Sequence, residues 1–263
     1  MKSRLIILSI FVLTCIILSS SVSSAVTSNN TNSISVQILD KNVHGNVIKN
    51  PAIKKYLSDT TFNREMISKL KQGSLVYRLG NGKGKTILIC GGIHGNEPQG
   101  PLAVTKLLSY LKTKKVNGTV YIVPFAIPID TEKNVRDYVR SPAHYDPNRE
   151  TTVAGTPTNN ILKFVLAHKV DYIIDVHSGI EVNSTGLVYF QNDFEKKWAQ
   201  YIQKKTGAIA KTNPSKGTFR SEASKRGIKA ITMEVDKKYN IGNTSDKELK
   251  MVIYACKYLH VIN

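Results

Sequence analysis

Residues 85–100 read KTILICGGIHGNEPQG. Four apolar residues in a row, Ile87–Cys90, with Ile93 beyond two glycines, are too few for a buried helix. The stretch therefore reads as a strand buried on both faces, ending in a sharp turn. His94 and Glu97 follow that turn directly, so both stand at the carboxyl end of a strand. The segment after it, PQGPLAVTKLLSYLKTKK (98–115), places Leu102, Leu107 and Leu108 on one side at helical spacing, with a basic end suited to a helix C-terminus. A buried strand followed at once by an amphipathic helix is the repeating unit of an α/β fold.

The same alternation continues in both directions. SLVYRLG (74–80) alternates as a strand, and NGKGK (81–85) reads as a hairpin-type turn. GTVYIVPF (118–125), VDYIIDVHSG (170–179), GLVYF (186–190) and KAITMEVD (229–236) read as further strands. NNILKFVLAHK (159–169), DFEKKWAQYIQKKTG (193–207), TFRSEASKRG (218–227) and SDKELKMVIYACKYLHVI (245–262) read as helices. Gly207 and Gly227 close two of these, and Ser245 and Asp246 are the cap candidates for the last. Residues 126–157, rich in Pro, Asp, Arg and Thr, form a long irregular stretch of the length that usually carries function. The expected fold is a single α/β domain, with a mixed, mainly parallel central sheet and helices on both faces. Ligands in such sheets sit beyond the carboxyl ends of the strands.

The 263 residues suffice for one sizeable core. The first 25 have a basic start (MKSR), an apolar run (LIILSIFVLTCIILSS) and a small-residue end before Ala25, the pattern of a secretory signal peptide; an uncleaved membrane anchor is the alternative. Residues 26–70 read as a polar linker followed by an N-terminal extension, and 71–263 as the main domain. The expected location is therefore secreted or cell-surface. Lys+Arg number 37 against 19 Asp+Glu, a net +18, which becomes 18 − 2 = +16 without Lys2 and Arg4. The lysines are dispersed and no aromatic-interleaved basic motif occurs, so no nucleic-acid partner is expected; an anionic cell-wall polymer suits the charge. Cys90 and Cys256 are expected as buried thiols. N-x-S/T sequons occur at Asn29, Asn117, Asn183 and Asn243.

Four reactive side chains share one placement. His94 and Glu97 follow one strand, His177 ends a second and Glu234 ends a third. Two histidines and a carboxylate match the donor set of a catalytic zinc, which leaves a position for water. One zinc ion per chain is therefore expected on His94, Glu97 and His177, with Asp175 orienting a ligand ring. Glu234 is placed to take a proton from an attacking water. Gly91, Gly92 and Gly95 allow the backbone to turn close to the metal. His44, His144, His168 and His260 lack such partners in sequence.

GGIHGNE (91–97), DPNR (146–149), DVHSG (175–179) and ITMEVD (231–236), in that order, resemble the zinc carboxypeptidase superfamily. The short spacings and the HGNE form look most like its succinylglutamate desuccinylase/aspartoacylase branch or its short murein-peptide amidases. The resemblance implies zinc on His94, Glu97 and His177, and Glu234 as general base and acid. It also implies a substrate carboxylate gripped by Asn148 and Arg149, and an oxyanion stabilised by Arg140, with Arg136 in reserve. Pro147 stands where the family usually carries leucine, and the tyrosine used by the peptidase branch has no clear counterpart, Tyr189 and Tyr239 being the candidates. The function implied is hydrolysis of an amide next to a free carboxylate, in a peptide (of the cell wall, for an exported chain) or in an N-acyl amino acid. A wall-binding protein that kept the fold without catalysis is the alternative of another class.

Overall fold

The computed structural model describes residues 34–141, 143–179 and 185–263. The signal peptide, the start of the linker and the sequons at Asn29 and Asn183 lie outside the described residues. In chain order the elements are β1 (Ser35–Asp40), α1 (Pro51–Tyr56), α2 (Thr61–Leu70), β2 (Ser74–Leu79), β3 (Thr86–Gly91), α3 (Gln99–Leu111), β4 (Thr119–Val123) and α4 (Pro128–Lys133). They continue with α5 (Pro157–Ala167), β5 (Tyr172–Gly179), β6 (Leu187–Phe190), α6 (Asp193–Thr206), β7 (Ile209–Thr212), α7 (Phe219–Ser224), β8 (Lys229–Asp236) and α8 (Ile241–Tyr258).

The strands form one sheet in the order β1-β2-β4-β3-β5-β8-β6-β7. β4, β3, β5 and β8 run parallel in its centre, and β2 and β6 join antiparallel on either side. Alternation along each strand feeds two cores. Ile87 and Ile89 of β3, Ile174 and Val176 of β5, and Ile231 and Met233 of β8 pack on one face with α3, α6 and α8. Leu88, Cys90, Ile173 and Ala230 face the other way, onto Ile161, Leu162 and Val165 of α5 and Phe219 and Ala223 of α7. Burial of both faces is why these central strands read as continuous apolar runs. Cys90 and Cys256 are buried free thiols, one in each core.

Helix ends follow capping chemistry. Asn50, Thr60, Thr156, Asn192, Thr218 and Asn240 each accept a backbone N–H of the first turn through the side-chain oxygen. Gly207 ends α6 at φ +78°. Three expectations change. α8 starts at Ile241 under Asn240, so Ser245 and Asp246 lie inside the helix; Asn240 accepts from Asn243 N and wins the cap. NGKGK is no hairpin, because β4 inserts between β2 and β3 and pairs with both. The extension is not separate from the main domain: β1 pairs with β2 and becomes an edge strand of the same sheet. The irregular stretch 126–157 holds α4 and a 3-10 turn at Pro147–Arg149. Among the described residues, no helix is long and apolar enough to cross a membrane.

Candidate active site

β3, β5 and β8 are hydrogen-bonded neighbours running parallel, and this brings the separate motifs together. His177 and Glu234 are partners in register across β5 and β8. β3 ends at Gly91, and Gly92 turns at φ +77°. The Gly91 and Gly92 carbonyls accept from Ala126 and Ile127, which fixes the loop that follows β3. His94 and Glu97 leave that loop buried, at 3% and 5% exposure.

The Nδ1 atoms of His94 and His177 each lie 2.9 Å from one oxygen of the Glu97 carboxylate. One donor atom from each of the three residues falls within 4.8 Å of the others. The far nitrogen of each ring meets an aspartate. His94 Nε2 is 2.8 Å from Asp146 Oδ1, and His177 Nε2 is 3.0 Å from Asp175 Oδ1. A carboxylate at Nε2 draws the ring proton there and turns the Nδ1 lone pair toward the shared point. With both rings deprotonated at Nδ1, two lone pairs and a carboxylate would converge on one buried point, an arrangement that a cation in place of the ring protons would hold together. The donor set therefore fits a divalent metal, with nitrogen and oxygen ligands and a carboxylate behind each histidine. Burial opposes protonation of both rings, but Glu97 and Asp146 hold His94 above the usual imidazole value. Asp175 and Glu97 likewise hold His177 well above it. Burial would raise Glu97, but the two histidines outweigh it and keep the carboxyl well below the usual range.

Around this triad lies a cavity of about 280 Å³ whose lining includes Arg136, Asn148, Arg149, Arg220 and Glu234. Burial, reinforced by Glu97 and partly offset by His177, pushes Glu234 up to about 7. A carboxyl near 7 can both accept and return a proton at neutral pH. Asn148 Nδ2 lies 3.2 Å from His177 Nε2, and its Oδ1 accepts from Phe219 N at 2.8 Å. Arg149 donates to the Asn148 carbonyl at 2.8 Å and keeps a side chain 48% exposed toward the mouth. Tyr189 lines the cavity, whereas Tyr239 is exposed outside it.

Arg140 is a correction. Its guanidinium turns away and donates to the backbone carbonyls of Asn42 and His44. Arg136 reaches the site instead, donating to Glu97 Oε1 at 3.0 Å and to Asp146 Oδ2 at 2.8 Å. Between them the segment is folded back, with Val139 N donating to Asp130 Oδ1 at 3.1 Å and Tyr138 N to Tyr145 O at 3.0 Å. Two site residues escaped the sequence reading. Asp146 backs His94 and opens the DPNR motif. Arg220 is 1% exposed; one nitrogen donates to Asn213 O at 2.7 Å, while its Nη1 has no partner. A buried guanidinium nitrogen left unpaired beside a polar cavity is set to receive an anion. Nothing in TFRSEASKRG distinguishes this arginine from a surface one.

The model of the succinylglutamate desuccinylase/aspartoacylase catalytic domain matches residues 83–258. An N-alpha-acetyl-L-2,4-diaminobutyric acid deacetylase of Halomonas elongata is 32% identical over 101 residues, which are 37% of this chain and 30% of that protein. The match thus spans under a third of the curated relative's length. A succinylglutamate desuccinylase of Silicibacter sp. TM1040 superposes with TM-score 0.60 at 19% identity, over 73% of this chain and 63% of that one. A candidate metallopeptidase of Shewanella denitrificans OS217 gives TM-score 0.60 at 15% identity, over 90% of this chain and 100% of that one. At such identities the two structures speak for the fold. With more than half of its length matched by the family model and the fold in agreement, the chain belongs to the succinylglutamate desuccinylase/aspartoacylase catalytic domain family.

Proposed function

We propose that the chain is a metal-dependent amide hydrolase that deacylates a small N-acyl amino acid bearing free carboxylates. One observation carries this: a cavity of about 280 Å³ joins the His94–Glu97–His177 donor set, Glu234 and three guanidiniums, Arg136, Arg149 and Arg220. Three cations in so small a space match one developing oxyanion and two carboxylates. Held by the triad, a divalent ion (zinc is the expected one, at one per chain) supplies Lewis acidity and makes hydroxide available near neutral pH.

The chain's own residues divide the remaining work. The Glu234 carboxylate takes a proton from the attacking water, whose oxygen bonds to the scissile carbonyl carbon. It then gives that proton to the departing amine nitrogen as the C–N bond breaks. Arg136 is the guanidinium nearest Glu97 and faces the carbonyl oxygen as it turns negative. Asn148 and Arg149 bind one carboxylate, and Arg220 offers its unpaired Nη1 to a second. Asp146 and Asp175 hold the two imidazoles in place. The named activity of the Halomonas relative, a deacetylase of an N-acetyl amino acid, supports the deacylation; its named substrate carries one carboxylate, so the second carboxylate rests on Arg220 alone.

A peptide-cleaving reading is favoured by one feature. Arg149 stands half exposed at the mouth, where a longer substrate can end in a carboxylate. The proposal includes an extracytoplasmic setting, supported by the N-terminal sequence pattern and the net charge of +18. An anionic wall polymer is the partner that charge suits. Zinc-loaded protein assayed on N-acetyl and N-succinyl amino acids and on wall-derived peptides tests the reading. Turnover of the acyl dicarboxylates with KM raised by Arg220→Ala is the expected result. Turnover of peptides alone overturns the deacylase assignment in favour of the peptidase.

A further inference from the structure

Residues 44–50 lie before the family match, yet they grip the segment that carries Arg136. Gly45 packs so tightly on α4 that a Cβ there would stand 2.6 Å from Ile129 N and from the Pro128 carbonyl carbon. The Asn46 N–H donates to Glu132 Oε2 at 2.6 Å, and Lys49 Nζ donates to Glu132 Oε1 at 2.7 Å. Asn50, 1% exposed, donates from Nδ2 to the Thr131 carbonyl at 3.0 Å, while its Oδ1 caps α1. The strap is anchored on its other side by Gly45 N, which donates to Leu70 O at 3.1 Å.

α4 also touches the HGNE loop. A Cβ on Gly95 would overlap the Asp130 carbonyl, so only glycine permits this approach. Asn96 N, between His94 and Glu97, donates to Val135 O at 3.0 Å. Arg136 is the next residue. One short helix thus contacts both the strap and the HGNE loop, and its C-terminal continuation delivers the guanidinium that meets Glu97.

We infer that residues 44–50 are a positioning strap for Arg136 and the HGNE loop, acting through α4, with Glu132 as the residue that joins them. The consequence for catalysis rests on the role of Arg136 proposed above; the mechanical coupling does not. A displacement of about 1 Å in a positioning group can lower a rate by about 10²-fold, so a loosened strap shows in kcat.

The test compares the full chain with Glu132→Ala and Glu132→Gln. Glutamine keeps an acceptor for Asn46 N–H; alanine keeps none. Amide hydrogen exchange is followed in the peptides over 92–98 and 128–141, alongside steady-state kinetics and melting. In Glu132→Ala, exchange is expected to quicken in both peptides, and kcat to fall about tenfold with KM within about twofold. Glu132→Gln is expected to restore both. Faster exchange confined to 44–50, with 92–98 and 128–141 unchanged, overturns the inference. If the wild-type chain hydrolyses no amide, the exchange comparison still decides the strap, and only the deacylase reading falls.

Discussion

At the residue scale, the site is a set of paired charges whose neighbours assign their roles. Glu234 is the carboxyl that burial leaves close to neutrality, while Glu97, between two histidines, stays ionised. Glu234→Gln is therefore expected to keep bound metal and lose about 10²–10⁴-fold in kcat, checked by parallel metal analysis and kinetics. Arg136→Ala is expected to lower kcat by about 10²–10³-fold, as for loss of an oxyanion donor. His94, Glu97, His177 and Glu234 were legible in the sequence because each follows an apolar run at a strand end, a position that topology turns into proximity. Arg136 was not separable from Arg140, since both sit in one polar stretch and only the folded segment shows one guanidinium on Glu97 and Asp146 and the other on Asn42 and His44. Arg220 was hidden because a six-residue helix shows no periodicity that tells inside from outside.

At the element scale, α4 is the joint of the structure. Its Asp130 is fully buried, with Oδ2 unpartnered, and burial pushes its carboxyl up to about 7. The fold therefore prefers the neutral acid. The stability this confers is complete below about pH 4, near the unfolded value of roughly 3.9. It is lost as pH rises through about 7. Asp130→Asn keeps the acceptor for Val139 N and removes the titration. Its melting temperature is expected to gain on wild type between pH 4 and 8, a trend that thermal scans across that range would reveal. Gly95→Ala forces a methyl group into the Asp130 carbonyl and is expected to lower both melting temperature and metal content, measured on purified protein. α4 itself went unread, because Pro128-Ile-Asp-Thr-Glu-Lys133 is too short to show a helical face. β7 escaped for a related reason: a four-residue edge strand, mostly exposed, has no apolar alternation.

At the scale of the whole molecule, the sheet was the most legible feature, because strands buried on both faces are apolar throughout. Its order was not, since the turn at 81–85 says nothing of β4 entering between β2 and β3. Three parallel strands bring the candidate metal donors and Glu234 together, with His177 and Glu234 in register, and the long connection after β4 adds Arg136 and Arg149 while α7 adds Arg220. The full sequence has a net charge of +18, and a protein so charged is expected to bind an anionic polymer in a salt-dependent way. Retention on an anionic wall-polymer matrix at low ionic strength, lost toward about 0.5 M salt, would show it, while retention that ignores salt would not be electrostatic. The central claim, that the HGNE loop and His177 exist to hold a hydrolytic metal, is tested most directly by elemental analysis of the purified chain beside His94→Ala and His177→Ala. The account predicts one divalent ion per wild-type chain, zinc foremost, and none in either variant. A wild-type chain that takes up no metal after zinc is supplied would contradict it.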